Sequence, residues 1–426
     1  MPAAVPAAAA RLSALARVTA SGRRDRDRLV RARDARLVEV VRHTAAHSPW
    51  YRRLWQEAGC EPSSVRTAGD LAGFPLVSKT MVRADVEQIL TPAARARGVR
   101  SAPTSGSTGE PLVVPHDPAS AAVLDAVWAR SHLAYGLRPH HRTAYFRNLP
   151  SSPTLTERLG IFRAEHLDID APDARLAARL RELRPHVLGG YPSHILELLD
   201  RLGPDRVSGL GIRWVTTGAE TLTEDARREI ADGVGARVVD LYGTIEFGCI
   251  AFECALGTRH LNDDAVLVEV LDDDGRPVPE GSPGELVVTG LYGAAMPFVR
   301  YRIGDRGTVD SRPCGCGRPL RRMTSLEGRG ASAVLTTGGQ RITGARLCAH
   351  LREIPTLRRY QVAQTSLTDL VVRIIPDPGT DQATAQAVRE AVRRQFGSEV
   401  SIEIDLVERI ERTAGGKVPD IIPMPS

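Results

Sequence analysis

The stretches HVLGGYPSHILELLDRLG (186–203), IRWVTTGAE (212–220) and ARVVDLYGT (236–244) decide the fold class. Each contains a short apolar run of strand length, and the first continues into apolar residues spaced three and four apart, as on one face of a helix. The same alternation of strand-like and helical patterns extends from about residue 100 to residue 325. It predicts an α/β layered domain.

The pattern changes after LEGRG (326–330). The segment ASAVLTTGGQRIT (331–343) predicts a hairpin around its Gly-Gly pair, and the rest of the chain alternates helices with strands. A chain of 426 residues has room for two or three domains. We therefore expect a large N-terminal domain over 1–328, flexible over 1–25, and a small α+β domain over 329–426.

Composition excludes several classes of protein. The chain is 42% hydrophobic and 25% charged and has no extended apolar run, which is typical of globular proteins that do not enter membranes. The net charge is only +5, and the densest basic run (21–42) alternates Arg with Asp like a solvated helix face. Aromatic residues, at 4%, are too few for a base-stacking surface. Arg11 and Arg17 interrupt the Ala-rich start, so we expect no signal peptide and a cytoplasmic protein. From the composition and the charge pattern, we expect neither nucleic acid nor a membrane as partner.

The two lysines of this chain are informative. Only Lys79 and Lys417 are lysines among the 56 Lys and Arg residues. Such an excess of arginine, together with abundant Ala, Gly and Pro, is typical of GC-rich coding, so a lysine that remains calls for a reason. Lys417 lies in RTAGGKV (412–418), a glycine-containing segment that resembles an exposed turn. Lys79 lies where a helix is predicted to start, and we interpret it as structural.

A polar loop, APTSGSTGEP (102–111), contains two glycines among four hydroxyl residues. Backbone N–H groups next to glycine, with Ser and Thr hydroxyls beside them, can bind phosphate oxygens. The loop is not a Walker A motif, because Glu110 follows Gly109 where that motif requires Lys. Taken alone, such a segment is more often a plain turn.

Four further motifs follow the loop in order, namely TTGAETL (216–222), DLYGTIEFG (240–248), PFVRYRIGDRG (297–307) and RTAGGKV (412–418). In this order the five segments resemble the adenylate-forming superfamily of acyl- and aryl-AMP ligases, in the branch of the phenylacetate-CoA ligases and their capsule-biosynthesis-type relatives. SPWYRRLWQEAG (48–59) and FPLVSKTMVR (74–83) extend the resemblance to most of 45–420. It implies that a carboxylic acid attacks the α-phosphate of ATP, releasing pyrophosphate, and that the acyl group then passes to a nucleophile such as coenzyme A.

The resemblance also implies a role for each motif residue. The β- and γ-phosphates of ATP are expected on Ser105, Gly106, Ser107, Thr108 and Gly109. The other nucleotide contacts are expected from Gly218, Ala219, Glu220, Tyr242, Gly243, Asp305 and Arg329, with Tyr242 stacking on adenine and Asp305 accepting from the ribose. Thr244 is expected to reach the α-phosphate, and Glu246 to hold Mg²⁺, a hard cation that prefers oxygen ligands.

Lys417 is the expected catalytic cation. Negative charge accumulates where carboxylate and phosphate meet, and a preorganised cation there lowers the barrier by a few kcal/mol. A compact ammonium on a flexible stem can bridge oxygens of two groups, which a planar guanidinium cannot easily do. The adjacent Gly415 and Gly416 fit a loop that enters and leaves the site as the small domain rotates between adenylation and transfer.

Three features depart from the family's pattern and leave the acyl acceptor open. Glu110 stands where the loop usually has Lys, and Ala331 stands where an acidic hinge residue is usual. TTGGQRIT (336–343) replaces a more basic turn that faces pantetheine in relatives. The alternatives are therefore transfer to coenzyme A, transfer to an amine or a carrier-protein thiol, and a nucleotide-binding protein whose chemistry has decayed.

A cysteine cluster predicts a second metal site. PCGCGRP places Cys314 and Cys316 on a tight turn, and FECALGTRH places Cys254 six residues before His260. Three Cys and one His are a standard structural zinc set, because thiolates suit a borderline-soft ion. Some relatives in the branch carry such a site, so we expect structural Zn²⁺ in an insertion over 249–318, with free thiols as the alternative.

Three further expectations are less specific. Cys249 is a substitute for one of the zinc ligands. Tyr191 and Phe146 are candidate walls of the acid pocket, although both could equally belong to the core. The sequence does not specify which acid is activated, and either a monomer or a homodimer is expected.

Overall fold

The computed structural model describes residues 13–20, 25–104, 112–146, 160–329, 333–338, 341–343, 347, 350–351, 353–397, 399–412 and 417–424. Its helices are α1 (Arg26–His47), α2 (Pro49–Glu57), α3 (Lys79–Ala84), α4 (Val86–Ile89), α5 (Pro118–Ala134), α6 (Asp173–Leu183), α7 (Pro192–Leu202), α8 (Pro204–Ser208), α9 (Glu224–Val234) and α10 (Asp381–Phe396). None of the helices in this described part is long and apolar enough to cross a membrane.

The strands alternate with the helices in the first half of the chain and follow one another from β7 to β13. They are β1 (Arg100–Pro103), β2 (Val113–His116), β3 (Thr143–Phe146), β4 (Ala164–Leu167), β5 (Val187–Gly190), β6 (Trp214–Gly218), β7 (Arg237–Thr244), β8 (Gly248–Glu253), β9 (Arg259–Leu261), β10 (Val266–Leu271), β11 (Pro283–Gly290), β12 (Tyr301–Asp310), β13 (Arg322–Arg329), β14 (Ala333–Leu335), β15 (Arg341–Thr343), β16 (Leu357–Gln364), β17 (Asp369–Pro376), β18 (Ser401–Leu406) and β19 (Ile421–Ile422).

Within the described residues, the main sheet has eleven strands in the order β10-β11-β12-β13-β9-β8-β7-β6-β5-β3-β4. Strands β4, β3, β5, β6 and β7 are parallel, whereas β8 and β9 continue the sheet antiparallel. The parallel strands are apolar on both faces because helices cover both. Leu188 and Val215 pack with α6, α7 and α9, and Val187 and Val239 pack with α5. The predicted α/β layered fold is confirmed.

The N-terminus differs from the expected flexible segment. Residues 13–20 are helical, and Ala14 and Val18 are buried in the cluster that includes α5. Arg130 donates a hydrogen bond to the carbonyl oxygen of Val18 at 2.8 Å. Ala14 and Val18 therefore bury apolar surface, while 1–12 and 21–24 lie outside the described residues.

The C-terminal region forms a smaller compact unit with its own core. The division falls between Leu326 and Glu327, and residues 304–306 group with the smaller unit. The predicted hairpin is present as antiparallel β14 and β15. A second sheet, in the order β18-β17-β16-β19, is covered by α10 through Val388 and Val392. The sequence analysis missed β16 and the two-residue strand β19.

Candidate active site and metal centre

Two neighbouring parallel strands carry two groups of the predicted nucleotide contacts. Strand β6 ends at Gly218 and continues into Ala219 and Glu220, and strand β7 ends with residues 242–244. Gly218 pairs with Leu241 in parallel register, so both segments leave the sheet at the same edge. In open α/β sheets, ligands bind outside the carboxyl ends of the strands. Residues predicted from two separate motifs therefore meet where this fold binds ligands.

The two motif glycines are required by close backbone contacts. A Cβ atom on Gly218 would lie 2.5 Å from the carbonyl oxygen of Leu241, and one on Gly243 would lie 2.3 Å from that of Gly248. The ladder between β7 and β8 shifts register between Tyr242 and Gly243. These glycines let the backbone of the site pack where any larger residue would force the strands apart.

Glu220 contacts a helix N-terminus in this structure. Its carboxylate accepts hydrogen bonds from the backbone N–H of Ser193, at 3.2 Å, and from the Ser193 hydroxyl, at 3.1 Å. Ser193 lies in the first turn of α7, where the helix dipole favours a negative charge. Glu220 therefore joins the end of β6 to the helix that follows β5.

A histidine that the sequence analysis missed supports the segment 244–246. The Nε2 atom of His116, at the end of β2, lies 3.0 Å from the carbonyl oxygen of Ile245. The Thr244 hydroxyl accepts from the backbone N–H of Phe247 at 3.3 Å, which closes a tight turn. Burial lowers the pKa of His116, which favours the neutral imidazole. Its position in PLVVPHD, just after the Ser/Thr/Gly loop, was the signal that could have found it.

An ionic network on strand β7 includes residues that neighbour the predicted nucleotide contacts in the sequence. Asp240 accepts a hydrogen bond from the Thr217 hydroxyl at 3.1 Å and forms a 2.8 Å ion pair with Arg259. Glu253 accepts from the backbone N–H of Asp240 at 3.0 Å and pairs with Arg227 at 2.6 Å. Burial raises the pKa of Asp240. The network connects β6, β7, β8, β9 and α9, and sequence reasoning missed it because its members belong to different motifs.

The structure describes some of the remaining predicted site residues and not others. Asp305 is buried, with 8% of its surface exposed, within β12. Arg329 is the last residue of β13. Lys417 belongs to the smaller unit, where the carbonyl oxygens of Pro419 and Asp420 accept hydrogen bonds from β16 at 3.0 and 2.9 Å. The phosphate-loop residues Ser105, Gly106, Ser107, Thr108 and Gly109, together with Glu110 and Ala331, lie outside the described residues.

The two candidate walls of the acid pocket are both buried. Phe146 is fully buried in the cluster that contains Leu188 and Ile195. This position makes Phe146 a core residue. Tyr191 is 8% exposed and its ring lies 4.8 Å from that of His194. Tyr191 remains a candidate wall because it precedes α7, the helix contacted by Glu220.

The four predicted zinc ligands come together. The ligand atoms of Cys254, His260, Cys314 and Cys316 all lie within 4.8 Å of one another. The Cys254 and Cys314 sulfurs are 4.0 Å apart, and the Cys316 sulfur is 3.3 Å from Nε2 of His260. Cys249 is not part of the cluster, since its sulfur contacts Ser131 and the carbonyl oxygen of Ala251, both at 3.4 Å. Its prediction as a substitute ligand is wrong because β8 turns it towards α5.

The donor set fits a tetrahedral zinc ion. With Zn–S bonds of about 2.3 Å, the sulfurs of such a site lie about 3.8 Å apart, close to the spacing between Cys254 and Cys314. The other ring nitrogen of His260, Nδ1, lies 3.3 Å from the carbonyl oxygen of Leu320, the kind of contact that fixes a metal-binding tautomer. The backbone N–H of Leu256 donates to the Cys254 sulfur at 3.4 Å.

Comparison with known proteins identifies the family. Residues 102–296 match the AMP-binding enzyme family, and residues 334–423 match the CapK C-terminal domain. Phenylacetate-coenzyme A ligase of Thermus thermophilus is 31% identical over 392 residues, which cover 88% of this chain and 85% of that protein. The chain belongs to the phenylacetate-coenzyme A ligase family.

Other members of the phenylacetate-coenzyme A ligase family and its relatives are similar over shorter spans. The Escherichia coli phenylacetate-coenzyme A ligase is 30% identical over 328 residues, covering 73% of this chain and 74% of that protein. Protein CapK of Staphylococcus aureus is 22% identical over 244 residues, covering 56% and 53%. The family predicted from five ordered motifs is confirmed, and with it the class of AMP-forming ligases.

Solved structures show the same fold. A 2-hydroxyisobutyryl-CoA ligase in the postadenylation state, in complex with R3-HIB-AMP, superposes with a TM-score of 0.77, covering 92% of this chain and 89% of that chain at 22% identity. The anthranilate CoA ligase AuaEII in complex with anthranoyl-AMP gives a TM-score of 0.53, covering 75% and 66% at 15% identity. At these identities the likeness concerns the fold alone.

Proposed function

We propose that this family member is an ATP-dependent carboxylic acid ligase that forms an acyl- or aryl-adenylate, releases pyrophosphate and transfers the acyl group to coenzyme A. The observation that carries the proposal is the meeting of the TTGAE and YGTIE motifs at one edge of the parallel sheet. The 31% identity with an enzyme named phenylacetate-coenzyme A ligase supports the choice of acceptor.

The residues at this edge have distinct tasks in the proposal. The Tyr242 ring stacks on adenine, and the Thr244 hydroxyl donates to the α-phosphate. Glu246 holds Mg²⁺, which neutralises phosphate charge when bound. Asp305 accepts hydrogen bonds from the ribose, and Arg329 contacts ribose or phosphate. The turn at 244–247 fixes the position of Thr244. Its hydroxyl is therefore preorganised for the α-phosphate, and electrostatic catalysis gains most from preorganised donors.

Lys417 supplies the catalytic cation of the proposed reaction. The acid carboxylate attacks the α-phosphorus, and the bond to the pyrophosphate oxygen breaks, so that negative charge spreads over the phosphate oxygens. The Lys417 ammonium stabilises this charge. We propose that the small domain, 329–426, rotates between this step and acyl transfer, which withdraws the lysine.

Structural Zn²⁺ is the second metal of the proposal. Cys254, His260, Cys314 and Cys316 would hold it and join β8, β9 and the turn after β12. Its role is to stabilise this part of the sheet, because four protein ligands leave no open position for a substrate. The cytoplasmic location and the monomeric or homodimeric state stay predictions.

The test is a pyrophosphate-release screen over aryl, arylacetic, fatty and amino acids with purified protein, ATP and Mg²⁺. Acid-dependent release together with AMP formation is the expected result. ATP binding without release for any acid would instead support a nucleotide-binding protein that has lost its chemistry. That alternative has little support because Thr244, Glu246, Asp305 and Lys417 are all present.

A second acceptor remains an alternative because of the C-terminal domain. The weakly basic TTGGQRIT segment, 336–343, weakens the case for coenzyme A and leaves an amine or a carrier-protein thiol as the alternative acceptor. Mass spectrometry of the product formed with each acceptor distinguishes these reactions. A coenzyme A thioester formed at a rate comparable to pyrophosphate release excludes the alternative.

A further inference from the structure

The parallel sheet has a row of basic residues along its amino edge, where the strands begin. The residue immediately before each of the neighbouring strands β4, β3, β5 and β6 is basic. These residues, which we call the basic row, are Arg163, Arg142, His186 and Arg213. The parallel register pairs the first residues of the four strands with one another, so the basic residues lie side by side. Since neighbouring strands are about 4.8 Å apart, the row is about 14 Å long.

The basic row lies opposite the predicted nucleotide site. The motifs TTGAE and YGTIE leave the sheet at its carboxyl edge, whereas the basic row stands at the amino edge of the same sheet. In open α/β sheets the substrate binds outside the carboxyl ends of the strands. The proposed ligase function therefore gives no reason for four adjacent basic residues at this edge.

The arginines of the basic row are not neutralised by carboxylates. Within the part of the chain that the structure describes, no carboxylate forms an ion pair with Arg142, Arg163 or Arg213. The Arg142 guanidinium instead donates to the carbonyl oxygens of Leu183 and Arg184, both at 2.7 Å. Like charges on adjacent strands destabilise a sheet. The arrangement therefore costs stability, which a bound anion would offset.

A cavity of about 390 Å³ opens beside Arg142 and Arg163. We call it the amino-edge cavity, and its lining residues are Arg142, Arg163, Arg179, Glu182, Leu183 and Arg184. Arg179 is neutralised, because it pairs with Glu182 at 2.5 Å and with Glu165 at 2.6 Å. Arg163 and Arg184 are exposed and form no ion pair with any described carboxylate. Together with Arg142, they leave an excess of positive charge around the cavity.

Arg184 has a backbone conformation that favours glycine. It ends α6 in the left-handed region, with φ of 45° and ψ of 63°. Glycine is the usual residue at such a helix end, since other residues adopt this conformation at a cost. The contact from Arg142 to its carbonyl oxygen fixes the backbone here. The Arg184 side chain therefore stands at the amino-edge cavity in spite of a conformational cost, which calls for a role of the side chain itself.

Two stacked histidines indicate that the electrostatic field at this edge is positive. The rings of His141 and His186 lie 4.7 Å apart at an angle of 22°. Their Nδ1 atoms accept hydrogen bonds from the backbone N–H groups of Arg138 and Arg142, respectively, both at 3.1 Å. Burial, and then the neighbouring histidines and arginines, lower the pKa of His141 to about 4. The same field that disfavours a further proton favours an anion.

We propose that the amino-edge cavity binds a small molecule that carries two or more phosphate groups, through the guanidinium groups of Arg142, Arg163 and Arg184. A guanidinium donates pairs of parallel hydrogen bonds to phosphate oxygens. More than one phosphate is needed to match three charges, and the cavity has the volume of a small-molecule site. The proposal goes beyond the proposed function, and its test involves neither an acid substrate nor pyrophosphate release.

Calorimetry with inorganic triphosphate tests the amino-edge cavity. Triphosphate and inorganic phosphate are titrated into the full-length wild type, Arg184→Gly, the double variant Arg163→Gln/Arg184→Gly and the control Arg53→Gln, which removes an exposed cation from α2. Mg²⁺ is omitted because it would neutralise the phosphate charge. Arg184→Gly suits the left-handed backbone and should fold as wild type does, and thermal unfolding of each variant reports on its folding.

The expected result is a graded loss of triphosphate affinity. Wild type should bind triphosphate at least about tenfold more tightly than phosphate, and the double variant should lose about tenfold or more, because hydrogen bonds to charged groups are among the stronger ones. Arg184→Gly alone should lie between the two, and Arg53→Gln should behave as wild type. Equal affinity of wild type for both anions, no binding of triphosphate, or an unchanged affinity in the double variant overturns the proposal.

AMP separates the amino-edge cavity from the predicted nucleotide site. It carries a single phosphate, and its affinity in the presence of Mg²⁺ is measured for the same proteins. The double variant should bind AMP within about twofold of wild type. A parallel loss of AMP and triphosphate affinity would place triphosphate in the nucleotide site and overturn the proposal. A wild type that shows the graded triphosphate binding but no AMP binding keeps the amino-edge cavity and contradicts the proposed function.

Discussion

The imidazole of His116 lies 3.0 Å from the carbonyl oxygen of Ile245 through its Nε2 atom and thereby joins the end of β2 to the segment of Thr244 and Glu246. Because this contact is to the backbone, its loss would displace both neighbouring side chains at once. We therefore propose His116 as a positioning residue, which the ordered motifs did not include.

Replacing His116 tests this contact. We expect His116→Phe to lower kcat/KM for adenylation about five- to tenfold, because a hydrogen bond of this kind contributes on the order of 1 kcal/mol. His116→Gln keeps a donor and should recover part of the rate. The rate of pyrophosphate release is measured against Mg²⁺ concentration, and His116→Phe should need more Mg²⁺ for half-maximal rate. His47→Phe, at an exposed position, is the control and should keep the wild-type Mg²⁺ requirement. If His116→Phe keeps the same Mg²⁺ requirement as this control, the positioning role of His116 is contradicted.

Lys417→Ala is expected to abolish acid-dependent pyrophosphate release while leaving ATP binding nearly intact. The reason is that a cation acting on charge that develops in the transition state contributes to the rate and little to ground-state binding. Lys417→Arg should also be poorly active, because a guanidinium cannot easily replace a bridging ammonium. Pyrophosphate release and calorimetric ATP binding are measured on the same preparations. Adenylation at the wild-type rate in Lys417→Ala would falsify the assignment.

The proposed zinc site predicts a fixed stoichiometry. Extensively dialysed protein should retain about one zinc per chain, as expected of a site with four protein ligands. His260→Ala and Cys316→Ser should lose the metal and unfold at lower temperature, whereas Cys60→Ser, outside the cluster, should keep it. Elemental analysis and thermal unfolding provide the measurements. Well-folded wild type with less than about half an equivalent of zinc rules the site out.

Asp310 gives a prediction about acid stability beside the metal centre. Its carboxylate accepts two hydrogen bonds from the Arg322 guanidinium, both at 2.7 Å, and two from Arg312, through Nε at 2.8 Å and the backbone N–H at 3.2 Å. Its side chain is only 5% exposed. The bonds from Arg322 lower the pKa of Asp310 to about 2. A lowered pKa stabilises the folded state at pH values above the unfolded-state pKa, and this stabilisation is lost as the pH falls through the folded-state pKa.

We therefore expect Asp310→Asn to lower the free energy of unfolding by about 2 kcal/mol at neutral pH. The difference from wild type should shrink as the pH falls from about 4 towards 2, because both proteins then carry an uncharged group at this position. Urea unfolding across this range measures the difference. Asp274→Asn, at an exposed position, is the control. A difference that stays constant with pH shows that Asp310 acts through packing rather than charge.

The spacing of apolar residues along the sequence was sufficient to predict much of the fold. The strands β5, β6 and β7 and the helix α7 after β5 were predictable because apolar runs and three-to-four spacing report burial directly. The hairpin of β14 and β15 followed from its Gly-Gly pair. The strand β19 was not predictable in the same way, because it is two residues long and depends on its partner strand β16.

The sequence alone indicated which residues are candidates for chemistry: the ordered motifs, Lys417, and a set of three cysteines and a histidine from distant segments. It could do so because residue type and spacing reflect chemistry directly. The tertiary structure decided which of these residues meet. It placed Cys254, His260, Cys314 and Cys316 together but turned Cys249 away, and it joined Glu220 to the start of α7. These contacts depend on strand register and on which face of the sheet each side chain occupies, and neither is specified by the residues nearby in the chain.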